Sequence, residues 1–313
     1  MQNNTTILPL VSVVMCTFNG EKYLRPQLDS ILAQSWKNIE LIISDDASTD
    51  NTVQLLEEYR KKDDRIKILL NTANLGYNRN FEKAFAAAAA AIIAISDQDD
   101  IWEQNKIEMM MKNWPGDALF CFSLSGTFYN DDFSGRRPAP DVQYGPVTRS
   151  YQLVFSSPVH GHASMFKKEL LQDCSPFPSD IYYDWWLSMY AVRKAPLGCL
   201  PETLTWHRRH DDNSSRNILS IKDREEKNRQ LREQFVHALE TYLSRTGIRQ
   251  EEDRFLQHYC SLLKKMDGHR FSFPMFFYIL KHRKKIFHYK KKKPFLFFSH
   301  LKHALRMART GVL

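Results

Sequence analysis

Apolar and polar positions alternate in blocks along the first hundred residues. The run Val11-Ser12-Val13-Val14-Met15-Cys16-Thr17 is nearly continuous in apolar residues, which predicts a strand buried on both faces. Residues 21–34 change period: Leu24, Leu28, Ile31 and Leu32 fall on one side of a helix, with Pro26 near its first turn. A second apolar run at 39–43 ends in Ser44-Asp45-Asp46, and the polar stretch 47–52 supplies N-caps for a helix through Leu55, Leu56 and Tyr59. The pattern repeats with a strand at 66–70, a turn at Asn74-Leu75-Gly76, a helix from Tyr77 to about Ala89 and a strand at 91–96. The six alanines 86–91 are the end of that helix feeding the fourth strand. Strands and helices in this order predict βαβαβαβ, an α/β fold whose parallel sheet is covered on both faces.

In such sheets ligands gather beyond the carboxyl ends of the strands. Thr17, Asp45-Asp46 and Asp97-Gln98-Asp99-Asp100 all stand at such ends. Three carboxylates where a buried strand surfaces call for a cation. Side chains i and i+2 of an extended segment point the same way, so Asp97 and Asp99 can converge while Gln98 turns aside. Mg²⁺ and Mn²⁺ take one or two protein carboxylates and complete their shells with water and phosphate oxygens, which suits an Asp-x-Asp pair facing a nucleotide diphosphate. Taken alone, the motif also reads as an acidic turn capping a helix that starts near Trp102.

The segments 11–20, 44–52, 74–81 and Ser96-Asp97-Gln98-Asp99-Asp100-Ile101-Trp102, in this order and at these intervals, closely resemble glycosyltransferase family 2. The last of them looks like the bacterial branch that builds cell-surface polysaccharides, such as lipopolysaccharide O-antigen and capsule, and that includes many rhamnosyltransferases. The resemblance covers roughly residues 8–215. It implies a GT-A fold, with a Rossmann-like, mixed and mainly parallel sheet flanked by helices. It also implies a nucleoside-diphosphate-sugar donor linked to UDP or dTDP, Mn²⁺ or Mg²⁺, and inversion at the anomeric carbon. Carried over by position, Cys16, Thr17 and Phe18 line the nucleobase pocket, and Asp46 accepts from the pyrimidine imide N–H. Uracil and thymine present that donor and cytosine does not. Arg79 lies near the diphosphate, Asp97 contacts the ribose or the metal, and Asp99 ligates the metal. Asp45-Asp46 can also serve simply as an Asx turn at a helix N-terminus.

The second half is expected to hold the acceptor site. Tyr182-Tyr183-Asp184-Trp185-Trp186 sets one carboxylate between aromatics at the start of an apolar helix running to Val192. An inverting transfer needs one general base for the acceptor hydroxyl, and the resemblance assigns that role to Asp184, whose aromatic neighbours would make it more basic. The other reading is an N-cap aspartate on a core helix. Residues 205–213 resemble the family's closing Tyr-Arg-x-His-x-x-Asn element, with His210 as the matching histidine and a candidate metal ligand. Arg208 and Arg209 offer cationic contacts to phosphate. The match departs from the pattern at Trp206, His207 and Asp211. His160 and His162 border the acceptor cleft and show no metal-ligand spacing.

Domain organisation follows: residues 1–215 as the catalytic domain, with a nucleotide-sugar half at about 8–115 and an acceptor half at 116–215, and residues 216–313 as a basic, mostly helical appendage. Five scattered cysteines without a CxxC pair read as reduced thiols. The first residues lack a basic n-region, and no apolar run approaches the length of a membrane span. The net charge of +8 is uneven, because from Lys264 onward 14 Lys or Arg stand against one acid, Asp267. Phenylalanines interleave with those charges. That combination suits an anionic membrane surface, so the expected location is cytoplasmic, peripheral at the inner face of the cell membrane. Competing readings are a single-strand nucleic-acid tail, which the resemblance gives no reason to expect, and an appendage packed on the catalytic domain. The expected partners are a UDP- or dTDP-sugar and a glycan or lipid-linked oligosaccharide acceptor. A sugar nucleotidyltransferase would open with a Gly-rich, basic loop, which residues 16–20 are not. A non-catalytic carbohydrate- or lipid-binding protein on the same fold is the alternative to an enzyme.

Overall fold

The computed structural model describes residues 8–139, 146–179, 181–210, 221–266, 271–287 and 296–311. In chain order its first elements are β1 (Val11–Thr17), α1 (Glu21–Leu32), β2 (Ile39–Asp45), α2 (Thr52–Arg60), β3 (Ile66–Leu70), α3 (Tyr77–Ala87) and β4 (Ile92–Ser96). Next come β5 (Ile101–Trp102), α4 (Lys106–Lys112), β6 (Phe120–Tyr129), β7 (Asp132–Arg137), α5 (Ser150–Phe155), a 3-10 turn at Gly161–Ala163, and β8 (Ser164–Lys167). Then follow α6 (Leu171–Cys174), α7 (Tyr183–Lys194), β9 (Gly198–Arg209), α8 (Ile221–Thr246), α9 (Glu251–Lys264), α10 (Phe273–Lys281), α11 (Arg283–Ile286) and α12 (Leu296–Thr310).

The chain folds as two compact units, Met1–Asp141 with Val159–His210, and Val142–Pro158 with Asp211–Leu313. The first holds a mixed sheet in the order β3-β2-β1-β4-β8-β6-β9-β5, with β7 on the edge of β6. β1, β2, β3 and β4 are mutually parallel, as the apolar runs predict. Every residue of β2 is buried, and so is every residue of β1 except Cys16, because helices cover both faces. The order 3-2-1-4 reverses direction between β1 and β4, which opens a crevice at their carboxyl ends.

Two local expectations are corrected. The helix expected near Trp102 starts at Lys106, because Ile101 and Trp102 pair antiparallel with Trp206 and Thr205 and form β5. The alanine run leaves its helix at Ala87. Ala89 N–H then donates to Glu40 Oε1 at 2.7 Å and Ala90 N–H to Ser12 Oγ at 3.0 Å, so buried polar groups of the sheet take over from helical bonding.

In the second unit α9 packs on α8 and α5, and α10 on α12, around Leu239, Tyr242, Leu256, Leu263, Met275, Ile279, Ala304 and Met307. The α9 Glu252 carboxylate accepts from Ser150 N–H at 3.1 Å, and Tyr278 Oη donates to the Phe255 carbonyl at 2.9 Å. Among the described residues no helix is long and apolar enough to cross a membrane. All five cysteines are free thiols. The N-terminal residues 1–6, the Asp211-Asp212-Asn213 stretch, Asp267, Lys290 to Lys293 and Phe295 lie outside the described residues.

Candidate active site

The site forms where β1, β2 and β4 end. Thr17, the last residue of β1, donates from Oγ1 to Asp45 Oδ2 at 2.8 Å, while Ser48 Oγ donates to the same oxygen at 2.6 Å. Beside them Cys16 is held as a thiol: burial pushes its pKa well up, and the carboxylates of Asp46 and Asp97 push the same way. The Asp46 carboxylate takes N–H bonds from Leu75 at 2.8 Å and Gly76 at 3.0 Å, and from Asn71 Nδ2 at 2.8 Å. It therefore anchors the turn into α3. Arg79, one turn into that helix, pairs with Glu82 at 2.9 Å on a half-exposed face.

Gln98 turns to the loop after β1. Its Oε1 accepts from Phe18 N–H at 2.9 Å and its Nε2 donates to the Phe18 carbonyl at 3.2 Å, the two-bond pattern of a strand partner. The loop after β1 is thereby clamped to the acidic strand end, with the Phe18 ring 46% exposed. A Cβ on Gly20 would lie 2.4 Å from Gln98 Oε1, although the Gly20 φ of −100° suits any residue. Gly20→Ala is thus expected to destabilise the fold by roughly 1–3 kcal/mol through overpacking, and to cost little in a chain that already carries Gln98→Ala. Urea midpoints of the two single variants and the double variant measure this, and simple additivity would refute the clamp.

Beyond β4 the carboxylates separate into distinct environments. Asp99 has a raised pKa, first from burial and then from the like charges of Asp100 and Asp97, partly offset by a 3.0 Å bond with His210 Nε2. Asp100 is fully buried. Burial pushes it up, but His162 and His207, together with the Arg208 N–H at 3.1 Å, hold it below the usual carboxylate range. The β5–β9 register explains this contact, since Ile101 opposite Trp206 brings Asp100 against His207 and Arg208. His207 Nδ1 lies 3.0 Å from Asp100 Oδ1, and His162 Nδ1 lies 3.3 Å from Asp97 Oδ2 and 3.5 Å from Asp100 Oδ2. Asp100 Oδ2 has no hydrogen-bond partner among the described residues. One ligand atom each from Asp100, His162 and His207 lie within 4.8 Å of one another, a candidate metal-binding triad.

Sequence spacing missed this triad, because His162 arrives from the turn before β8 and His207 from β9. It also missed Lys106, whose fully buried Nζ donates to the His162 carbonyl at 2.6 Å and sits 3.5 Å over the Trp102 ring. Burial drives the Lys106 pKa well down while Asp100 and Asp97 oppose the shift. Arg208, expected at phosphate, turns inward: Nε donates to the Asp99 carbonyl at 2.9 Å and Nη1 to Asp131 at 2.9 Å, and the guanidinium stacks on Tyr23 and Phe128.

Asp184 occupies the first turn of α7, where Tyr182 rather than Asp184 is the N-cap. Its carboxylate accepts from Trp185 N–H at 2.7 Å and Gly161 N–H at 3.0 Å, and burial raises its pKa, with Asp97 adding to the rise. Gly161 and His162 are consecutive, so one dipeptide holds Asp184 with its backbone and Asp97 with its ring. A Cβ on Gly161 would meet Tyr183 Oη at 2.4 Å, which leaves room there only for glycine.

The glycosyl transferase family 2 model matches residues 12–175, more than half of the chain, and spans every element from β1 to α6. The chain belongs to glycosyl transferase family 2. Membership identifies an enzyme with glycosyltransferase activity, built on the sheet just described. An uncharacterized glycosyltransferase of Haemophilus influenzae is 27% identical over 261 residues, covering 77% of this chain and 76% of that protein. The UDP-Glc:alpha-D-GlcNAc-diphosphoundecaprenol beta-1,3-glucosyltransferase of Escherichia coli is 35% identical over 146 residues, 45% of this chain and 56% of that enzyme's length. The crystal structure of S. aureus TarS 1-349 in complex with UDP-GlcNAc shares the fold, with a TM-score of 0.56 at 17% identity over 96% of this chain and 92% of that one.

Proposed function

We propose that this family 2 member is an inverting, metal-dependent enzyme that moves a sugar from a UDP- or dTDP-linked donor to a hydroxyl of a glycan or lipid-linked oligosaccharide. The setting is cell-surface polysaccharide biosynthesis, with a rhamnosyl- or hexosyl-type transfer. The observation that carries this reading is the Gly161-His162 bridge, which sets a buried, basic carboxylate at Asp184 beside the acidic strand end. Residues 8–115 would then serve the donor and 116–215 the acceptor. Phe18 offers an exposed ring to the base beside Cys16 and Thr17. Among the described residues Asp46 Oδ2 accepts one bond, from Gly76, which leaves it acceptor capacity for an imide N–H. Arg79 reaches phosphate by giving up a surface ion pair worth little.

Asp97, Asp99 and His210 would hold Mn²⁺ or Mg²⁺, with diphosphate oxygens completing the shell. The Asp100, His162 and His207 triad supports that edge or takes the ion itself. A bound cation would neutralise charge on the departing diphosphate. Asp184 takes the proton of the acceptor hydroxyl as its oxygen attacks the anomeric carbon. The acceptor is presented at the cytoplasmic face of the membrane, to which the basic C-terminal region attaches the enzyme; no nucleic acid takes part.

Incubation with UDP- and dTDP-sugars and Mn²⁺ is expected to release the nucleoside diphosphate. Asp46→Ala should weaken donor affinity by about tenfold or more, the worth of a charge-assisted hydrogen bond. A wild-type chain that turns over neither donor class contradicts the proposal, and unchanged affinity in Asp46→Ala confines Asp46 to anchoring its turn.

A further inference from the structure

The second unit carries an apolar face that its own core does not use. On α10, Met275, Tyr278 and Ile279 are buried, while Phe273 and Phe277, four residues apart on one side, are 65% and 63% exposed. On α12, His300, Ala304, Met307 and Ala308 are buried, and Phe297 and Phe298 are 53% and 64% exposed. The outward stripe continues from Phe298 through Lys302, Leu305, Arg306 and Arg309, which helical periodicity places on one side. Ser272 N–H donates to the Ala308 carbonyl at 2.8 Å, and Arg283 lies 5.9 Å from the Phe297 ring. The two helices are therefore antiparallel, and the Lys281–Arg283 end of one meets the Phe297–Phe298 end of the other.

Residues 271–287 and 296–311 contain seven Lys or Arg and no Asp or Glu. Lys285 pairs with Glu251 at 3.2 Å, but Lys281, Lys284, Lys302, Arg306 and Arg309 have no carboxylate partner among the described residues. We propose that the exposed sides of α10 and α12 seat in an anionic lipid bilayer, their phenylalanines entering the acyl boundary and their cations meeting the headgroups. The inference deepens the membrane attachment given above, which rests on the charge of the whole C-terminal region, by naming the face that makes contact. Two features select lipid over protein. Lys281, Lys284 and Lys302 are exposed beside the aromatics, whereas the centre of a protein interface is depleted in lysine. Excess positive charge with exposed phenylalanine also matches the negative headgroup layer above an apolar one.

The test is flotation of the full-length chain with vesicles of phosphatidylglycerol and phosphatidylcholine, against phosphatidylcholine alone. The intact chain is expected to float with the anionic vesicles at low salt, less so at high salt, and not with neutral ones. Phe277→Ser with Phe298→Ser should lower the bound fraction by about tenfold or more, and Lys302→Glu with Arg306→Glu by a similar factor, with thermal midpoints and donor hydrolysis unchanged. If the phenylalanine variant floats as well as the wild type, the α10–α12 face is refuted while attachment through other basic residues stands. If the intact chain ignores anionic vesicles at low salt, both ideas fall. In that case light scattering that shows dimers broken by the phenylalanine variant would assign the face to a second copy, and retention on a single-stranded oligonucleotide would assign it to nucleic acid.

Discussion

Asp184→Asn is expected to lower sugar transfer by about 10²- to 10⁴-fold while donor binding persists, the usual worth of a general base. Asparagine is nearly the same shape but has one acceptor oxygen where the carboxylate uses two, so it keeps the bond from Trp185 N–H or from Gly161 N–H and not both, and the donor-binding measurement shows that the site around it survives. Burial holds the Asp184 pKa above the ordinary aspartate value, and the charge of Asp97 raises it further. The base works deprotonated. Activity should therefore be retained above this raised pKa and fall as pH drops through it, with an acid limb displaced upward from that of an exposed aspartate. A pH profile of transfer together with an equilibrium measurement of donor affinity checks both parts. Near-normal turnover in the variant would remove Asp184 from the mechanism.

Chelation is expected to abolish transfer, and Mn²⁺ or Mg²⁺ to restore it. Asp97, Asp99 and Asp100 are consecutive or nearly so at one strand end, and burial plus mutual repulsion lifts the Asp99 pKa although His210 lies 3.0 Å away. A cation relieves that repulsion, so its binding should also stabilise the folded chain, by about 2.7 kcal/mol at a hundred times its dissociation constant. Thermal midpoints with and without Mn²⁺ read this independently of activity. Asp99→Ala should lose both the stabilisation and most of the transfer. Full activity of the wild type in EDTA would show that the strand-end acids serve the fold alone.

The local pattern was enough for the parallel half of the sheet. Uninterrupted apolar runs ending in Thr17, Asp45 and Ser96 have no stable place except between helices, and their polar ends must then surface together. The acidic motif at 97–100 was legible for the same reason; the role proposed for Asp184 comes from the family resemblance, and its place in the first turn of α7 from the structure. Trp102 misled because a two-residue strand has no period of its own. Its assignment comes from pairing with Thr205, a hundred residues away.

What only the tertiary structure decided are the contacts between segments that share no local signal. Asp100, His162 and His207 meet because β5 pairs with β9 and the turn before β8 lies beyond β4. Lys106 gives no hint of full burial in its own neighbourhood, and the role of Gln98 depends on Phe18, eighty residues earlier. The phenylalanines of the basic region show the same division. Composition marked them all as apolar among cations, yet Phe287 is in the core and Phe277 in solvent. Hydrophobic periodicity records which side of an element must be buried, whereas the partner that buries it, or is absent, belongs to the assembled chain.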